Sequence, residues 1–80
     1  MDRVTQAQEI LTGLGGGANI VSLEPCITRL RCEVRDAARI DERRLRAAGA
    51  FGVLRVGTVV QVVVGPQADN IEQEMRRLMP

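Results

Sequence analysis

The sequence predicts an α+β fold, a four-stranded antiparallel sheet with three helices on one face, in the order α-β-β-α-β-β-α. Three observations carry this. Three segments place apolar residues at helical spacing. Four short segments alternate in polarity or are rich in valine, and they fall in two pairs, each joined by a turn. Each helical segment has a single apolar stripe, so the simplest packing sets all three against one side of a common sheet. The other face of the sheet then stays open, giving an open-faced sandwich.

Val4, Ala7, Ile10, Leu11 and Leu14 form the stripe of the first helix, which stops in Gly15-Gly16-Gly17. A short strand is expected over residues 19–23, ending before Cys26 because Pro25 cannot donate to a ladder. Leu30, Cys32 and Val34 then alternate with Arg31, Glu33 and Arg35, the period of a strand with one face in the core. These two strands form a hairpin with Cys26 near its tip. The second helix, from about Glu42 to Ala48, has Asp41 as N-cap, Ile40 and Leu45 at staple positions and Gly49 as its stop. Residues 52–56 and 59–64 read as strands joined at Gly57-Thr58, and Gly65-Pro66 ends the pair. Asp69 is expected to cap the third helix, with Glu72 as its partner in a capping box. Ile71, Met75, Leu78 and Met79 form that helix's stripe, and Arg76 and Arg77 suit its C-terminal dipole.

Composition limits the chemistry. At 80 residues the chain is one domain spanning 1–80, which leaves no room for a separate substrate domain. Its basic residues are all arginine, and eleven of them against ten acidic residues leave a net charge of +1. That balance lacks the electrostatic footprint of a nucleic-acid binder, and the single aromatic, Phe51, offers no stacking platform. Without histidine or lysine there is no Ser-His or Cys-His dyad, histidine-bound zinc, Schiff base or P-loop lysine. No metal site and no cofactor are expected. No apolar run reaches the roughly 18 to 20 residues of a membrane span, and two cysteines without CxxC spacing fit a reduced, cytoplasmic compartment. The letters of Gly13-Leu14-Gly15-Gly16-Gly17-Ala18 match a dinucleotide fingerprint, but they follow a helix where the motif must follow a strand, so they read as a helix stop.

Cys26-Ile27-Thr28-Arg29-Leu30-Arg31 is the informative stretch. It places a thiol at a turn with guanidiniums three and five residues on, an electropositive setting that favours thiolate. Arg29 and Arg31 share parity and point to the open face, where two planar forks match the oxygens of a phosphoryl group. Thr28 and the amides of the turn, Ile27 among them, add donors for a small anion nest. A bland reading stands beside this one, since cysteine is often a buried small residue and strand arginines are often solvated. Cys32 falls on the apolar parity and reads as core. Gln61 is either a polar group near the site or simply an outward residue, and the charges from Arg39 to Arg46 read as a solvated face.

Asn19-Ile20, Cys26 through Arg31, Asp36, Leu45, Gly49-Ala50, Gly52-Val53, Val60-Gln61-Val62, Gly65-Pro66 and Ala68 through Ile71 together resemble the enzyme IIB domain of the bacterial sugar phosphotransferase system, in its glucose and N-acetylglucosamine branch. The resemblance runs over nearly the whole chain and implies the same fold. It implies a phosphoryl relay in which Cys26 accepts a phosphoryl group from a histidine of enzyme IIA and passes it to a sugar held by the membrane-embedded enzyme IIC. It also implies that Arg29 and Arg31 serve the onward step and that Thr28 donates to the phosphate. Such a domain is cytoplasmic and works at the inner face of the membrane through enzyme IIC. The branch favours N-acetylglucosamine over glucose, and Met1 and the lack of a linker point to a separate polypeptide. Leu23, Pro25 and Ile27 are expected at the centre of the docking patch. Some relatives also dock a transcriptional regulator, though no residue here marks such a contact. The alternative is a non-catalytic regulatory module docking through the same open face.

Overall fold

Alternation along two strands decides which side of the sheet is buried. In the computed structural model, which describes all 80 residues, Leu30, Cys32 and Val34 of β2 (Arg29–Val34) are buried, as are Val60 and Val62 of β4 (Val59–Val63), while Arg31 and Glu33 are exposed. β1 (Ile20–Cys26) and β3 (Gly52–Val56) form the edges of one antiparallel sheet in the order β1-β2-β4-β3. The register aligns Cys26, Arg29, Val63 and Gly52 in one row, and Glu24, Arg31, Gln61 and Leu54 in the next. Both rows lie on the open face, because their neighbours Leu30, Val62 and Val60 are buried on the other.

Helices α1 (Arg3–Gly13), α2 (Glu42–Ala47) and α3 (Ala68–Leu78) cover the buried face. Ile10 and Leu14 from the first helical region, Leu45 from α2 and Ile71 and Met75 from α3 are fully buried against Leu30, Val60 and Val62. Each such side chain contributes about 1.5 to 3 kcal/mol by leaving water. α1 and α2 approach closely at Gly13, where a Cβ would meet Leu45 Cδ2 at 2.7 Å. Both helices end in the same way: Gly16 N–H donates to Leu11 O and Gly15 N–H to Thr12 O, while Ala50 N–H donates to Leu45 O and Gly49 N–H to Arg46 O. These are Schellman closures, so the glycine run after α1 is a helix stop. Asp41 caps α2 as expected, accepting from Arg44 N–H at 3.1 Å.

Four local expectations are corrected. β1 does not stop at residue 23; it continues through Glu24, Pro25 and Cys26. Pro25 is tolerated because β1 is an edge strand, paired on one side only. Asn19 precedes β1 in a short 3-10 turn (Gly17–Asn19), where its buried side chain donates to Leu14 O at 2.7 Å and Asp36 O at 3.1 Å and accepts from Asp36 N–H at 3.0 Å. Leu23 lies in the core at 4% exposure, so it cannot belong to a docking patch. Asp69 does not cap α3: the helix begins at Ala68, which is fully buried, so Asp69 falls within the first turn, where its charge suits the dipole. The capping box is therefore absent, and Glu72 instead pairs with Arg76, whose guanidinium also donates to Leu23 O and ties α3 to β1.

Candidate functional site

The site is built on a two-residue turn of the sheet. Cys26 and Arg29 are paired residues at the ends of β1 and β2, so only Ile27 and Thr28 connect the strands. Ile27 has φ +58° and is 87% exposed. A β-branched residue in the left-handed region is a true outlier, costing about 1 to 3 kcal/mol, and such strain collects at functional sites. Neither the Ile27 nor the Thr28 N–H has an acceptor within the chain. The Thr28 carbonyl faces the other way and accepts from Val64 N–H at 2.9 Å and Gly65 N–H at 3.0 Å, which fixes the hairpin to the end of β4. Two amide donors are thus left beside the exposed thiol of Cys26.

Arg29 stands directly across from Cys26 on the open face, and in such pairs Cβ atoms lie about 4.5 to 5.5 Å apart. Arg31 is two residues further along the same face. Neither guanidinium is loose: Arg29 Nη1 donates to Gln61 Oε1 at 3.1 Å, and Arg31 Nη1 donates to Glu24 Oε1 at 3.4 Å. Gln61 is therefore a partner of the site, the role that the sequence left undecided. Its position depends on the pairing of β2 with β4, which sets Gln61 across from Arg31 and diagonal to Arg29. Glu24 was given no role from sequence. The signal for it was available: a two-residue loop between Cys26 and Arg29 fixes Glu24 opposite Arg31.

Cys32 is separate from this constellation. It lies in the core at 1% exposure, and burial pushes its thiol up to about 12. The depression between α1 and α2, lined by Glu9, Asp41, Arg43 and Arg44, belongs to the helical side and not to the Cys26 face.

Fold and hairpin define the class first: an open-faced α+β domain that presents a thiol at a strained turn beside two arginines. Comparison with known proteins places that class. The phosphotransferase system, EIIB family pattern matches residues 8–41. The N-acetylglucosamine-specific EIIB component of the PTS system of Streptomyces coelicolor is 51% identical over 75 residues, covering 94% of this chain and 97% of the relative. The PTS system glucose-specific EIICBA component of Staphylococcus carnosus is 46% identical over 71 residues, covering 89% of this chain but 10% of that longer one. Among solved structures, one domain of the PTS system IIabc component from Clostridium difficile superposes with a TM-score of 0.81 at 26% identity, covering 95% of this chain and 81% of the other. The chain belongs to the EIIB family of the phosphotransferase system, whose domains transfer phosphoryl groups in sugar uptake and work with EIIA and EIIC components. No helix is long and apolar enough to cross a membrane.

Proposed function

We propose that this domain is a covalent phosphoryl relay with Cys26 as the carrier, loaded by the phosphohistidine of an EIIA component and discharged to a sugar held by an EIIC component. The observation that supports it most is the hairpin itself, with an exposed thiol beside two unpaired amides and two arginines on one open face. In loading, the Cys26 thiolate, its proton lost to solvent, attacks phosphorus; the S–P bond forms, the donor's N–P bond breaks, and the electron pair returns to the imidazole. In discharge, the sugar hydroxyl oxygen forms the O–P bond, the thiolate leaves with its electron pair, and the hydroxyl proton is removed on the acceptor's side.

Phosphoryl transfer passes through a loose transition state, so the protein's work is positioning and charge stabilisation. Arg29 and Arg31 hold the equatorial oxygens, and the N–H groups of Ile27 and Thr28, with the Thr28 hydroxyl, complete a small anion nest. Pro25 and Ile27 form the apolar part of the docking surface. The sugar is of the N-acetylglucosamine or glucose type, and the domain works at the inner face of the membrane through EIIC.

Mass spectrometry after incubation with phosphorylated EIIA tests the relay. One phosphate should appear on the wild-type chain, with the acid-base lability of a thiophosphate, and Cys26→Ser should not gain it. A wild-type chain that stays unmodified defeats the proposal.

A further inference from the structure

Glu24 is the one carboxylate in the two rows of side chains that hold Cys26, Arg29 and Arg31. It stands two residues before Cys26 on the same face of β1, roughly 7 Å away along the strand. Because β1 is an edge strand, Arg31 is its only directly opposite neighbour. The two side chains form an ion pair at 3.4 Å, with 51% of Arg31 and 64% of Glu24 exposed. Arg29, by contrast, rests on the neutral amide of Gln61. One of the two guanidiniums beside the thiol is therefore neutralised and the other is not.

We infer that Glu24 is a positioning residue that sets the transfer potential of the phosphorylated cysteine, holding Arg31 when Cys26 is empty and leaving the phosphoryl group short of one compensating charge when it is full. The inference rests on Cys26 being the carrier. A phosphoryl group brings a charge of about −1.5 to −2, and an exposed ion pair is a weak competitor for a nearby guanidinium. Loading therefore draws Arg31 away from Glu24 and leaves two like charges on adjacent same-face positions. Discharge restores the pair and removes the repulsion. Both effects have the same sign: Glu24 disfavours the loaded state and favours passing the group on. Without it, two guanidiniums would fully match the dianion, and the carrier would hold its phosphoryl group too well.

The experiment mixes phosphorylated EIIA with wild-type, Glu24→Gln or Glu33→Gln chains and measures the equilibrium ratio of phosphorylated to free Cys26 by intact mass. Glu33 is the control, exposed on the same face of β2 but one row further from Cys26. At about 0.1 M salt, Glu24→Gln should raise the exchange constant toward loaded Cys26 about threefold to tenfold. The rise should shrink below about twofold at roughly 1 M salt, where exposed charges are screened. Glu33→Gln should stay within about twofold of wild type. An unchanged or lowered constant for Glu24→Gln overturns the inference while the relay stands, as does an equal rise for Glu33→Gln or a rise that ignores salt. A wild-type chain that never gains phosphate overturns the relay and this inference together.

Discussion

Two cysteines six positions apart meet opposite environments because strand parity and strand ends act on them differently. Cys26 ends β1 and faces solvent, whereas Cys32 sits mid-strand on the buried parity beside Leu30 and Val34. Burial raises the Cys32 thiol from an ordinary 9.0 to about 12. Below pH 9 the folded and unfolded forms both keep that proton, and stability is at its full value. Between pH 9 and 12 only the unfolded chain loses it, so stability falls by about 1.4 kcal/mol per pH unit across the window. The chain contains no lysine or tyrosine to titrate over the same range. Urea denaturation from pH 8 to 11 should show this decline, and Cys32→Ala should flatten it. A slope that survives the substitution would assign the decline to other groups.

At the level of elements, the Cys26 hairpin is held by a contact that lies outside it. Thr28 O is gripped by the amides of Val64 and Gly65, and Gly65 itself is at φ +93° with Phe51 Cε2 3.3 Å from where a Cβ would sit. Gly65→Ala forces a side chain into a left-handed conformation against the ring, at a cost of about 1 to 3 kcal/mol. The lower stability should appear in denaturant midpoints, together with slower phosphorylation of Cys26 as the turn loses its anchor; full stability in the variant would refute the account. Local signals in the sequence foresaw what local forces decide. The Asp41 cap, both glycine stops and the Gly57-Thr58 turn each depend on residues within a few positions of one another. The start of α3 was misplaced because packing of Ala68 and the reach of Arg76 to β1 outweigh the capping preference of Asp69. Pro25 misled in the same way: whether a proline ends a strand depends on which strand is an edge, and that is a property of the assembled sheet.

The whole molecule separates support from chemistry: helices and core on one side, an open sheet face with the hairpin at one end on the other. Arg29 and Arg31 were legible on that face because alternation alone assigns them to it, and Cys26 was legible as a residue near the hairpin tip. Gln61 stayed undecided because its role depends on the register between β2 and β4, and Glu24 could be placed only by keeping Pro25 in the strand, so that Cys26 pairs with Arg29 and Glu24 with Arg31. This division gives the two transfers different demands on the arginines. In the proposed relay, loading needs chiefly the exposed Cys26 thiol and the turn amides of this chain. Discharge needs the phosphoryl group presented in line to a sugar hydroxyl, and there the planar forks fix its orientation. Arg29→Lys and Arg31→Lys keep the charge and remove the fork. Phosphorylation of Cys26 by EIIA should fall by less than about tenfold in either variant, while sugar phosphorylation with EIIC should fall by about a hundredfold or more, the scale expected when bidentate positioning of the reacting group is lost. Rapid-quench measurement of the two half-reactions separates them. Equal losses in both steps would mean that the arginines serve general phosphate binding and not presentation to the acceptor.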